Sequence, residues 1–233
     1  MSPASRVRQR IEAVLTYAQA LGQFKGDNPA KLDGPLGVLL GDMRKKVEHH
    51  AALAYKEIPA FMADLRGREG TSARALEFLI LSATRTNEVL GARLAEVDFD
   101  NKLWIVPKKR MKAKREHRVA LSERAVEILG EMKRGKTSEL IFPSTKLNRP
   151  MSNMVFLQLL KRMGRDDLTV HGFRSTFRDW CAEQTNFPAE VAEMALAHVV
   201  SDKVEAAYRR GDLLEKRFVL SQQWANYCMT GSV

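Results

Sequence analysis

HGFRSTFRDWC, from His171 to Cys181, decides how the rest of the chain is read. Phe173, Phe177, Trp180 and Cys181 recur at helical spacing and make one apolar stripe, so the stretch is expected to lie as a helix against a core. His171 and Arg174 stand one turn apart, roughly 100° round from that stripe, which lets both point into a cleft beside the core. Arg178 would repel Arg174 unless an anion lies between them or the two diverge. A solvated polar face gives the same pattern, so H-x-x-R alone is a weak signal.

Downstream, Val191, Met194, Ala195 and His198 fall at i, i+3, i+4 and i+7. That periodicity puts His198 on the apolar side, where a hydrogen-bonded core histidine is the ordinary reading. Tyr208 shares a face with Val204 and Ala207, and a core tyrosine is the ordinary reading there too. The residues directly after it, Arg209-Arg210-Gly211-Asp212, make a poor core neighbourhood. Leu213, Leu220, Trp224 and Tyr227 form the stripe of a last helix, able to fold back on its own domain or to dock on a neighbour.

Upstream, Ser5 to Leu21 carries Val7, Ile11, Val14, Ala18 and Leu21 as a helical stripe expected to face a core. Arg6, Arg8 and Arg10 crowd its first turns, where the helix dipole gives cations no support, so a partner or solvent must accommodate them. Gly22 to Gly41 is rich in Gly and Pro and reads as loop with at most a short helix. The charged stretch MRKKVEHHAAL reads as an interdomain linker. Helices are expected around Ile58 to Leu65 and, nearly all apolar, over Thr71 to Ala83. Arg85 then sits at a break before Thr86-Asn87-Glu88 opens a further helix through Val89, Leu90 and Leu94. A cation there is costly unless Glu88 or a phosphate near a helix N-terminus pairs with it.

Val97 to Phe99, Leu103 to Val106 and Arg118 to Leu121 alternate like strands of a small antiparallel sheet. The second and third are separated by the basic run KKRMKAKREHR, holding Lys108, Lys109, Arg110, Lys112, Lys114 and Arg115. Such a run is either a solvated hairpin or one that tracks phosphates along a DNA groove. Ser122 caps a helix marked by Val126, Ile128, Leu129 and Met132. Leu140 to Pro143 is short and extended, and Met154, Leu157, Leu160 and Lys161 begin another amphipathic helix. The expected fold is mainly α with a small antiparallel β-sheet, an α+β protein, divided into residues 1–48 and 49–233.

Lys plus Arg number 38 against 28 Asp plus Glu, a formal charge of +10 that favours a polyanionic partner. The two cysteines, Cys181 and Cys228, show no metal-ligand spacing. No run of 18 apolar residues is present, and the expectation is a soluble protein of the bacterial cytoplasm with no membrane partner.

Arg85, Lys112, His171-x-x-Arg174, His198 and Tyr208, in that order, resemble the tyrosine recombinases, and the text around them resembles the phage and genomic-island integrases of that family. ATRTNEVLGARLAEVDFD is similar to their first box, and RMKAKREHRVALS to their β-hairpin, with the family's lysine at Lys112, eight residues before Ala120, where Pro is common. HGFRSTFRDW and AEMALAHVVSDKVEAAYRR are similar to the second box and the nucleophile segment. The resemblance runs from about residue 5 to 230.

The resemblance implies site-specific cutting and rejoining of DNA through a 3′-phosphotyrosyl intermediate, with no metal or nucleotide cofactor. It makes Tyr208 the nucleophile and gives the phosphate to Arg85, Arg174 and His198. His171 becomes the proton acceptor, Lys112 the donor to the leaving oxygen, and Glu88 the support for Arg85. Arg6, Arg8, Arg10, Lys108, Lys109, Arg110, Lys114 and Arg115 are the expected DNA contacts. Partners would be double-stranded attachment sites and accessory DNA-bending factors, with a homo-tetramer on DNA and a monomer free. Residues 1–48 resemble the end of a helical core-binding domain plus linker, without the arm-binding domain that usually precedes it. Competing readings are an idle or synapsis-defective DNA-binding fragment or regulator derived from an integrase, and type IB topoisomerase-like relaxation.

Overall fold

A helix that is apolar on nearly every side is stable only when surrounded, and Thr71–Ser82 is such a helix: Ala73 and every residue from Ala75 to Ser82 are buried. The computed structural model describes residues 3–40, 51–135, 138–144, 149–198 and 211–232. The chain divides into two compact units, Met1–Glu48 and His49–Val233.

The first unit holds α1 (Pro3–Ala20) and α2 (Pro35–Leu40). Asn28 ties this unit together: its amide donates to the Glu12 carbonyl and to Thr16 Oγ1 while its Oδ1 accepts from the Ala30 N–H. The core expected beneath the α1 stripe is not found within this unit. Val7, Ile11, Val14 and Leu21 are 55, 48, 67 and 54% exposed, because so short a unit has too little apolar surface of its own to cover them.

The second unit is built around the buried helix. Its elements are α3 (Ile58–Arg66), α4 (Thr71–Ser82), α5 (Thr86–Leu90), β1 (Val97–Asp98), β2 (Leu103–Val106), β3 (His117–Ala120), α6 (Glu123–Arg134), α7 (Val155–Arg162), α8 (Gly172–Gln184), α9 (Ala189–Ala195) and α10 (Leu214–Thr230). Among the described residues α4 packs against α3, α5, α6, α7, α8 and α10. The sheet is antiparallel in the order β1-β2-β3, with Val97 opposite Trp104 and Val106 opposite His117. Ser122 Oγ accepts from the Ala125 N–H as the cap of α6. Leu94 falls outside α5 and opens a single 3₁₀ turn.

Two further expectations change. In α7 the buried residues are Phe156, Leu159 and Leu160, while Met154 and Leu157 face out. Two apolar stripes compete on that helix, and the one carrying the aromatic ring takes the core. The linker reading falls on residues 43–53, of which 43–50 lie outside the described residues, and its last three residues belong to the second unit. Leu53 is buried, its carbonyl accepts from Thr176 Oγ1 at 2.6 Å, and the Ala51 carbonyl accepts from Thr169. A Cβ on Gly172 would meet that Ala51 oxygen at 2.3 Å, so glycine lets the chain run against the start of α8.

The last helix folds back in cis, against α3, α4, α9 and β3. Trp224 is fully buried, with its ring centroid 5.4 Å from Phe177 and 5.0 Å from Trp180. Its indole N–H donates to the Ile80 carbonyl at 2.9 Å. Trp224→Ala should therefore lower unfolding free energy by about 3–5 kcal/mol, measured by urea denaturation; a loss under about 1 kcal/mol would show that α10 is not part of the cooperative core.

Candidate active site

The exits of α4 and α9 and the start of α8 converge. α4 ends at Ala83, which takes a left-handed conformation with φ 50°, and two residues later Arg85 stands as the N-cap of α5. Glu88, in the first turn of α5 and buried, receives the Arg85 backbone N–H on Oε2 at 2.9 Å and Arg85 Nη1 on Oε1 at 3.0 Å. A buried carboxylate requires such pairing, and the side-chain fork is held in one direction as a result.

Arg174 enters from the first turn of α8 and is only 4% exposed. Its Nη1 donates to the Ala83 carbonyl, and its Nη2 donates to the Leu196 carbonyl at 2.6 Å and lies 3.3 Å from His198 Nε2. Its Nε is buried with no acceptor among the described residues. Burial and the neighbouring charge of Arg85 push its pKa down to about 10, against the pull of Glu88 and Glu193. The group stays a cation near neutrality, but one beside a second cation in a low-dielectric pocket. An anion entering there relieves the repulsion.

α9 ends at Ala195, and Ala197 again is left-handed, with φ 49°. Its carbonyl accepts from Arg85 Nη2 at 3.4 Å. That turn swings His198 off the apolar face on which the spacing placed it, leaving its side chain 40% exposed. His198 Nδ1 lies 2.6 Å from Glu193 Oε2. Because a guanidinium only donates, Nε2 is the acceptor toward Arg174 and Nδ1 carries the proton. Arg178 turns outward onto the same Glu193 at 2.7 Å, so it diverges from Arg174.

His171, at the N-cap of α8, is exposed. Lys112 is exposed in the β2–β3 hairpin loop, with no hydrogen bond or ion pair among the described residues, and Lys108, Lys109, Lys114 and Arg115 are exposed around it. Arg110 is turned inward instead. Its Nε and Nη2 donate to the Glu96 carboxylate at 3.1 and 2.6 Å, and its Nη1 donates to the Glu88 carbonyl at 2.8 Å. It braces the hairpin against α5 rather than standing open to a ligand. In the first unit Arg6 and Arg10 are exposed, while Arg8 is engaged by Glu12 and the Ala30 carbonyl. Tyr208 lies outside the described residues.

Two residues of the site escaped the sequence reading. Glu193 lies five positions before His198, close enough in a short helix and its exit turn to meet it, and that spacing was the available signal. His117 opens β3 on the buried face it shares with Val119. Its Nε2 is buried without a partner among the described residues. Burial pushes its pKa from 6.5 down to about 4, with Arg217 and Arg85 acting the same way and Glu88 and the Ala195 backbone acting against them. The unfolded chain thus takes up this proton before the folded one does. The neutral ring costs nothing above the ordinary value of 6.5, and stability drains away as pH falls from there to about 4. Denaturation at pH 7 and at pH 4.5 should show an acid loss in the parent chain that exceeds that of His117→Asn, by on the order of 2 to 3 kcal/mol. Equal losses in both proteins would contradict a neutral buried ring.

The family model "Phage integrase family" matches residues 52–213. The chain is 35% identical over 228 residues to "Prophage integrase IntA" of Escherichia coli K12, covering 95% of this chain and 53% of that protein. To "Integrase" of Enterobacteria phage P4 it is 32% identical over 246 residues, covering 96% and 54%. The chain thus spans about half the length of these curated relatives. A lambda integrase dimer, residues 75–356, bound to a COC′ core site shares the fold with a TM-score of 0.63 at 16% identity, over 84% of this chain and 72% of that one. With a family match that takes in Arg85, Arg174, His198 and the fold that brings them together, the chain belongs to the phage integrase family.

Proposed function

We propose that this chain carries the catalytic centre of a site-specific DNA recombinase, which cuts and rejoins strands by transesterification at a phosphodiester. The observation that carries this reading is the convergence of two guanidinium groups, Arg85 and the buried Arg174, with His198 at the exits of α4 and α9. One phosphate is the ligand such a pocket suits. Two guanidinium forks match its oxygens, and neither fork loses its charge at working pH.

In the reaction, the Tyr208 hydroxyl oxygen attacks phosphorus and the DNA 5′-oxygen leaves, giving a 3′-phosphotyrosyl bond. Attack on that bond by another strand's 5′-hydroxyl reverses the step and rejoins DNA, so bond energy is conserved. Arg85 and Arg174 neutralise charge on the pentacoordinate phosphorus, and each preorganised donor of this kind is worth about 3 to 4 kcal/mol of barrier. His198, oriented by Glu193 through Nδ1, turns Nε2 to a hydrogen bond with a non-bridging oxygen. A tyrosine of pKa about 10 is ionised to roughly one part in a thousand at pH 7, so His171 accepts its proton. Lys112 supplies a proton to the leaving oxygen from the hairpin loop. The exposed cations Lys108, Lys109, Lys114 and Arg115 run along the duplex backbone, with Arg6 and Arg10 as further phosphate contacts. Pairing of attachment sites uses a tetramer on DNA assembled from free monomers, with accessory DNA-bending proteins as further partners. Residues 1–48 serve as the end of a core-binding domain joined to the catalytic unit.

A duplex carrying a nick just beyond the attachment-site phosphate releases a short strand on cleavage and traps the covalent complex. The parent chain should form an adduct that survives denaturing electrophoresis. Tyr208→Phe should bind the same duplex with about the same affinity and form none. An adduct from Tyr208→Phe would remove Tyr208 as nucleophile.

A further inference from the structure

Five non-glycine residues among those described have positive φ: Ala83, Lys102, Lys114, Ala197 and Leu213. Lys102 and Lys114 lie in the turns on either side of β2, and Leu213 precedes α10. The two alanines are different. Alanine has no polar side chain to compensate a left-handed backbone locally, as Asn or Asp does, and so bears the full steric cost. Both alanines end a helix, and both direct the resulting carbonyl at a guanidinium of the site. The Ala83 oxygen receives Arg174 Nη1, and the Ala197 oxygen receives Arg85 Nη2 at 3.4 Å. The bracing is crossed. The exit of α4, beside Arg85, holds the arginine of α8, and the exit of α9, next to the Leu196 carbonyl that holds Arg174, holds Arg85.

A helix C-cap needs only the left-handed turn, which glycine provides without strain. Here the Ala83 methyl is buried in the core and Ala197 packs against that core, so each carbonyl is anchored by its own side chain. Residues kept in a costly backbone conformation by their surroundings cluster where geometry serves function. We infer that Ala83 and Ala197 are positioning residues, whose left-handed backbones aim carbonyls that set the planes of the Arg174 and Arg85 guanidinium groups. The inference rests on the proposed phosphoryl transfer for its purpose, though not for its geometry. Arg174 gives both Nη groups to carbonyls, and Arg85 gives one to the Ala197 carbonyl and the other to Glu88, so each guanidinium plane is held in a fixed direction before DNA arrives. That fixed direction is the preorganisation a transition state requires.

The test centres on Ala197, which is only half-buried. In protein labelled with ¹⁵N-arginine, a guanidinium pinned by a carbonyl rotates slowly and gives separate Nη signals, assigned to Arg85 and Arg174 by the Arg85→Lys and Arg174→Lys variants. Ala197→Val, which disfavours positive φ, should merge the Arg85 signals. Ala197→Gly and Ala197→Asn, which permit it, should keep them separate. Merging in none of the three, or in all three, overturns the inference.

The same variants are then timed on the nicked duplex. Ala197→Val should slow adduct formation about tenfold in the parent chain and about twofold or less when Arg85 is already Lys, since residues acting through one group are not additive. A full tenfold loss in both backgrounds would make Ala197 a folding residue and nothing more. If the parent chain forms no adduct, the proposed reaction fails, while the arginine spectra still decide the geometry.

Discussion

Two guanidinium groups share one pocket, and the constraint on everything around them is that they repel. Burial lowers the pKa of Arg174, and the charge of Arg85 adds to the effect. The fold tolerates the pair by surrounding it with acceptors: the Glu88 carboxylate for Arg85, and the carbonyls of Ala83, Leu196 and Ala197 for both. Each acceptor satisfies part of a fork and none cancels the joint charge. The pocket is therefore stable without a ligand and still favours an anion.

The larger architecture comes from holding those acceptors still. α4 is encased on all sides, so its exit at Ala83 is a fixed point. α8 is pinned at its start by the chain running past Gly172 and along its core side by the aromatic cluster with Trp224. α10 closes over α3, α4, α9 and β3, which sets α9, and with it His198, relative to α4. Arg110 ties the hairpin that bears Lys112 to α5 through Glu96 and the Glu88 carbonyl. The exposed cations of that loop are consequently carried on a braced support.

The sequence alone supplied most of this frame. Thr71 to Ala83 is so uniformly apolar that burial was the only physical option, and the stripe Phe173, Phe177, Trp180 and Cys181 is buried as the spacing requires. Glu88, three residues after Arg85 at a helix start, was one of the two partners the sequence offered that cation, and the structure pairs them. The errors of periodicity depend on where a helix stops. His198 satisfies the i+7 rule on paper, but α9 ends at Ala195 and the left-handed Ala197 turns His198 away from the helix's apolar face. α7 offered two stripes and periodicity could not rank them. Arg110 looked like its basic neighbours because nothing local distinguishes a cation aimed at Glu96 from one aimed at solvent. His117 was missed for the same reason, since its role arises from contacts between elements, whereas Glu193 was legible in its five-residue spacing to His198.

The charge constraint is tested most directly by removing the charge from the ligand instead of from the protein. A methylphosphonate at the scissile position replaces one non-bridging oxygen with a methyl group and leaves the linkage neutral. Single-turnover adduct formation on the ordinary phosphate should fall by about a hundredfold or more in Arg174→Ala, whereas on the methylphosphonate the same substitution should cost at least about tenfold less. Comparing the two substrates within one protein cancels any change in the folded fraction. An equal loss on both substrates would contradict the claim that the arginine pair acts by neutralising the phosphate.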